Sequence, residues 1–200
     1  MRLLLPLSLL LVSFPALAGE VVLENEYVSV ARDAAPCASA HVPECGDRVI
    51  VALGDIELAS KGAQRTMARG DIAVFGPGES YEPPSGGSFL EVSIKMDHPP
   101  VQSPGERIAP EKNAMRYEGR EFFIFEEKLA PGDTRARHSH SQRVVIQLNS
   151  ARLQQWPDGE PSKFVETVPD RPGFSAPVIH SVKNVGDTPL RGIIIEFKTR

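Results

Sequence analysis

Short runs of alternating apolar and polar residues, broken at close intervals by Gly, Pro, Asp or Asn, fill most of the chain beyond its first eighteen residues. A period of two marks a β-strand with one buried face, because successive side chains point to opposite sides of a sheet. Apolar residues at helical spacing are scarce, so the pattern predicts an all-β fold. Two segments align without a gap, RVIVALGDIEL at 48–58 and RVVIQLNSARL at 143–153. Each reads as a strand, a tight turn at Gly54-Asp55 or Asn149-Ser150, and a second strand, which is a hairpin signal. Each copy later ends in a strand closing on lysine, FLEVSIK at 89–95 and IIIEFK at 193–198. This collinear order predicts a duplication: a barrel over 19–97, a Pro-, Gly- and charge-rich linker over 98–117, and a second barrel over 118–200.

The first eighteen residues have a different character. Met1-Arg2 is followed by an apolar run from Leu3 to Phe14 and by Pro15-Ala16-Leu17-Ala18. A basic start, a short apolar stretch and a small-x-small end predict a signal peptide cleaved after Ala18. The run is too short for a membrane anchor. The expected product is secreted or periplasmic. The formal charge of −4 becomes one unit more negative when the leader and its arginine are removed. That mild acidity argues against nucleic acid and anionic membranes as partners.

The most specific chemistry lies in PGDTRARHSH at 131–140. Residues two apart on a strand share a face, so His138 and His140 would aim both imidazoles into one cavity. A third imidazole, from His180, would complete a metal site. Neutral imidazole suits Zn, Cu, Fe and Ni; the expected cofactor is a divalent transition metal, with Mn also open. Gln142 shares the alternating face and is read either as a fourth ligand or ligand contact, or as a satisfied polar residue of the barrel. Arg135 and Arg137 are read either as rim residues able to grip a carboxylate or as solvated strand positions. Trp156 and Phe122, Phe123 and Phe125 are expected to pack in cores.

Gly132, His138-Ser139-His140, His180 and Asn184 together resemble the two motifs of the cupin superfamily, G-x5-H-x-H-x3,4-E-x6-G and G-x5-P-x-G-x2-H-x3-N. The resemblance implies jelly-roll barrels and a bicupin whose second barrel holds the metal through His138, His140 and His180. The chain departs from the pattern in two places. The acidic ligand would fall at Val144 or Val145, and Val144 is expected on the inward face. In the second motif Pro177 stands for the glycine and Ser175 for the proline. In the first half, Pro43 and Cys45 align with the two histidines. The segment GPGESY at 76–81 places Tyr81 at the third, so this barrel is expected to lack metal. His41 with Cys45 forms a weaker rival pair.

Cys37 and Cys45 are the only cysteines. In an exported chain they are expected to form a disulfide. Three readings of function follow. The first is an exported metal-dependent cupin enzyme, of oxygenase or Lewis-acid type, on a small organic or anionic substrate. The second is a non-catalytic module binding a metal or small ligand. The third is a structural interaction protein with vestigial histidines splayed on the surface. A homodimer is left open.

Overall fold

The computed structural model describes residues 19–39, 45–109 and 114–199, and no helix occurs among them. The expected signal segment and His41 lie outside the described residues. The first half contributes β1 (Glu20–Glu24), β2 (Val28–Arg32), β3 (Cys45–Ala52), β4 (Ile56–Ser60), β5 (Ala63–Met67), β6 (Ile72–Phe75), β7 (Ser85–Gly86) and β8 (Phe89–Lys95). The second contributes β9 (Ala114–Glu118), β10 (Phe122–Leu129), β11 (Thr134–His140), β12 (Arg143–Gln147), β13 (Arg152–Pro157), β14 (Lys163–Glu166), β15 (Pro172–Ser175), β16 (Val178–Asn184) and β17 (Leu190–Phe197). Within the stretch read as linker, 98–109 is irregular and 114–117 already belongs to β9.

The strand orders repeat. One five-stranded sheet runs β1-β2-β8-β3-β6, and its counterpart runs β9-β10-β17-β12-β15. Each half adds a smaller sheet, β5-β4-β7 in the first and β11-β16-β13-β14 in the second. All the pairings are antiparallel, and no sheet mixes strands of the two halves. The fold is all-β, built of cupin-like jelly-roll barrels, as the alternation predicted.

What the alternation did not predict is that both faces of the larger sheets are buried. Val49 and Val51 of β3, Leu90, Val92 and Ile94 of β8, Val144 and Ile146 of β12 and Ile193, Ile195 and Phe197 of β17 share one apolar core. Strands of both halves therefore meet back to back. The intervening positions, such as Ile50 and Ala52, turn into their own barrel. Both faces being covered explains the near-continuous Val/Ile runs of these strands. A one-residue slip would exchange the two faces, so the shared core fixes the register. Polar ties join the same interface. Arg69 donates to the backbone carbonyls of Leu53 and Leu148 and to Asp170 Oδ1 at 2.6 Å.

Cys37 and Cys45 form the expected disulfide, with their Cα atoms 5.8 Å apart. The motif residues at the other barrel's turn are mutually bound. Gly132 has φ +83°, a conformation glycine adopts without steric cost. Its N–H donates to the Asn184 carbonyl at 2.9 Å, and Asn184 N–H donates to Asp133 at 3.0 Å. The buried Asn184 amide also donates to Leu129 and Thr188. Asn184 thus ties β16 to the turn that launches β11.

Candidate metal centre

β11 and β16 are adjacent antiparallel strands, and His138 stands directly opposite His180. This register requires a bulge: Arg135 pairs with Val182 and His138 with His180, leaving Ala136-Arg137 opposite Ser181 alone. A bulge places one extra residue on one strand and re-aims its side chains. Here it turns both Arg135 and His138 inward while Ala136 and Arg137 face solvent. His140 follows two residues on, on the same side as His138.

The three imidazoles are buried, and one ligand atom from each lies within 4.8 Å of the others. Ring centroids are 4.6 Å apart for His138 and His180, 4.7 Å for His138 and His140, and 5.5 Å for His140 and His180. His138 Nδ1 donates to the Ala136 carbonyl at 2.8 Å, which leaves its Nε2 lone pair free. That Nε2 lies 3.1 Å from His180 Nε2. Two nitrogens each about 2.1 Å from one ion, 3.1 Å apart, subtend an angle of roughly 95°, an ordinary coordination angle. His180 Nδ1 is buried without a partner. Burial pushes His138 down to about 4 and His140 and His180 down to about 2, so all three are neutral at pH 7, the form that ligates metal. A three-histidine group of this kind suits a divalent metal.

Glu196 of β17 is the group that sequence reasoning missed. His140 Nδ1 lies 2.6 Å from Glu196 Oε2, and Ser141 N–H donates to Oε1 at 2.9 Å. Because burial holds His140 neutral, this contact is a hydrogen bond rather than an ion pair. Burial pushes Glu196 up to about 7, against the opposing pull of the Ser141 N–H and of Arg143. A carboxylate behind a ligating histidine fixes its tautomer and ring orientation. Phe125 stacks beside the His140 ring, with centroids 5.9 Å apart. The available signal was a lone acid in the apolar run IIIEF.

His140 and His180 line a chamber of about 600 Å³ between the two sheets of the second half, with Arg143, Gln147 and Gln155 among its polar walls. The expectation for Val144 is corrected here. Val144 packs in the core shared by the halves, whereas Val145 lines the chamber, because Arg143, Val145 and Gln147 form the inward face of β12. Gln142 is buried, and its Oε1 accepts the Gln102 N–H at 2.8 Å and so ties down the segment 98–109. The same segment pairs with β11 through Ser139 N–H to Ile108 O at 3.0 Å. Arg135 is buried and pairs with Glu127 at 2.8 Å. Arg137 is on the surface between Asp158 and Glu106. Phe122 and Phe125 are buried, and Phe123 is half-buried. Trp156, expected to pack inside, is 38% exposed. Leu153, Gln155 and Pro157 take the chamber side of β13, leaving Trp156 on the outer face.

No protein-family model matches the sequence, and a search of curated proteins finds no match. Solved structures do match. AerE from Microcystis aeruginosa is 18% identical over 90% of this chain and 97% of that one, with a TM-score of 0.55. A cupin 2 conserved barrel domain protein from Leptotrichia buccalis is 14% identical over 90% and 88%, with a TM-score of 0.50. The oxalate decarboxylase of Lactobacillus farciminis, solved as a formate complex, is 14% identical over 86% and 77%, with a TM-score of 0.52. At these identities the likeness is one of fold, and it agrees with the strand order and the His-x-His geometry: the chain has the cupin fold.

Proposed function

We propose that this chain is an exported metal-dependent cupin enzyme. In this reading His138, His140 and His180 hold one divalent transition metal, and a small molecule enters the chamber beside it. The carrying observation is that two of the three converging histidines open onto the chamber, so a metal there would keep positions facing a ligand. When bound, such a metal supplies Lewis-acid or oxygenase chemistry to the ligand. The protein's own residues supply the rest. His138 and His140 present lone pairs because Ala136 O and Glu196 fix their tautomers. Leu153, Val165, Val182 and Ile194 give the chamber an apolar wall. The Cys37–Cys45 bond supports an oxidising compartment, and hence export. No helix among the described residues is long and apolar enough to cross a membrane.

Burial and convergence of the histidines weigh against the reading as a structural protein with splayed surface histidines. A non-catalytic binding module shares the metal and the ligand, and turnover separates it from an enzyme. The test is metal analysis of tag-free protein, followed by a substrate screen on the metal-loaded form. About one metal per chain and metal-dependent turnover are expected. A full metal complement without turnover on any ligand that binds would favour the binding module.

A further inference from the structure

Both halves bury the same arginine, and in the second half it lines an open chamber. Arg48 on β3 and Arg143 on β12 are each buried, and each Nη1 donates at 3.2 Å to the carbonyl two residues back, Gly46 or Ser141. Arg48 also reaches the Glu79 carbonyl, and Arg143 the Ala176 carbonyl at 2.9 Å. On the neighbouring strand Arg48 stands opposite Ser93, and Arg143 opposite Glu196. Two residues along, Ile50 stands opposite Glu91, and Val145 opposite Ile194. Glu91 and Ile194 are therefore equivalent positions, and both turn into their barrels.

In the first half that interior is filled. Glu91 is fully buried, accepts Cys37 N–H and the Ser93 hydroxyl on Oε1 and takes the Tyr81 hydroxyl on Oε2. The Tyr81 ring stacks on Phe75 with centroids 4.2 Å apart, and the Arg48 guanidinium lies 6.0 Å from the Tyr81 ring. An internal carboxylate thus shares this interior with the buried cation, separated from it by the Tyr81 ring and making no hydrogen bond to it, and Arg48 Nε is left without a partner among the described residues. In the second half Ile194 replaces that carboxylate and Ser175 replaces Phe75, which leaves the chamber. Glu127 and Glu196 are near enough to act on Arg143 through charge, but their hydrogen bonds go elsewhere, Glu127 to Arg135 and Glu196 to His140 and Ser141. Nη2 and Nε of Arg143 make no hydrogen bond among the described residues, and Arg143 lines the chamber. A guanidinium has five donors to satisfy, and those of Arg143 beyond Nη1 are open to a ligand in the chamber.

We propose that the chamber's ligand is a small carboxylic acid whose carboxylate is gripped by Arg143, in the place that Glu91 fills in the first half. Arginine suits this role because its planar fork matches a carboxylate bidentately. The inference rests on the metal-chamber reading for the ligand's neighbour, and on the internal comparison for its charge. The test uses the full mature chain, zinc-loaded and metal-free, titrated calorimetrically with acetate, malonate and succinate and with the matching amides. At least one carboxylate should bind roughly 10- to 100-fold more tightly than its amide, the range for a charge-assisted contact. Ile194→Glu, which copies Glu91, should abolish that binding and leave zinc affinity within a few-fold of wild type. Arg143→Lys, which keeps charge without the fork, should weaken the carboxylate by about 10-fold or more and serves if Ile194→Glu fails to fold. Amides binding as well as acids, no acid binding at all, or unchanged acid binding in both variants would overturn the proposal. If zinc does not bind, the metal reading fails. Carboxylate binding to the metal-free protein that is lost in Ile194→Glu would then still uphold the Arg143 site.

Discussion

The two halves share a strand order and a buried arginine, yet one is packed solid and the other is hollow. In the first, Phe75, Tyr81 and Glu91 occupy the space beside Arg48, and Cys45 is spent in a disulfide. In the second, Ser175, His180 and Ile194 stand at the corresponding places, and His140 stands where the sequence alignment puts Cys45. A handful of substitutions on one backbone plan thus separates a filled core from an open chamber. The difference extends to the sheets. The second half's smaller sheet contains β11 and β16, the strands that carry the histidines. The first half's smaller sheet has three strands, one of them only two residues long. The hollow half depends on its solid neighbour, because the core of Val49, Val92, Val144 and Ile195 is common to both.

The largest expected effect breaks the second half alone. His140→Ala should abolish tight metal binding, since two remaining imidazoles hold a metal poorly. The fold should persist on the shared apolar core, as circular dichroism would show. Wild-type metal affinity in the variant would contradict the three-histidine reading.

Breaking the first half should do the reverse. Cys45→Ser removes a short crosslink and should cost about 2–3 kcal/mol of stability. Denaturant titration would read that loss, while metal affinity stays unchanged. A matching loss of metal affinity would mean that the halves are more tightly coupled than their separate interiors suggest.

Glu196→Gln sharpens the comparison at its closest point, since Ser93 is the counterpart of Glu196. The variant should weaken metal binding by about 10- to 100-fold, as expected for a carboxylate behind a ligating histidine. An unchanged affinity would leave Glu196 with a packing role only.

The smallest effect is in pH. The three histidines titrate near 6.5 when unfolded and at about 2 to 4 when folded. Between those values the unfolded chain binds more protons, so the metal-free protein should lose stability as pH falls from 7 to 5. Glu196, raised to about 7 in the fold, works in the opposite direction over its own window from 4.5 to 7. Asp47, Glu91 and Glu127, also raised by burial, act with Glu196, so the share of one histidine, read as the slope lost in His138→Ala, should be on the order of 1 kcal/mol per pH unit. Thermal melts should show a steeper slope in Glu196→Gln. An unchanged slope in His138→Ala would place that histidine in contact with water, and an unchanged slope in Glu196→Gln would contradict a raised Glu196.

The all-β class, the repeat and the three histidines were legible because each rests on spacing within a strand or on a collinear pattern. The errors share a cause: plain alternation says which residues share a face, but not which face is which. Val144 was assigned inward because a second buried face, against the other half, cannot be seen in one strand. Trp156 was assigned to a core because large apolar residues usually are, whereas Gln155 and Leu153 hold the inward side of β13. Arg135 was unreadable because an unsignalled bulge turns it in with His138. Gln142 was left between a ligand role and a satisfied polar residue, and its partner, the backbone of Gln102 forty residues earlier, could not be read locally. Glu196 is also distant in sequence, and only the pairing of β12 with β17 brings it to His140.

The central claim is that one half of this duplicated fold is built to hold a metal and the other is not. A crystal structure of the metal-loaded protein, with anomalous scattering at the metal edge, tests it most directly. The account predicts a single site about 2.0–2.2 Å from one nitrogen each of His138, His140 and His180, with its remaining positions facing Arg143 and the chamber, and no metal in the first half. A metal bound elsewhere, or three rings that point apart with no metal between them, would contradict it.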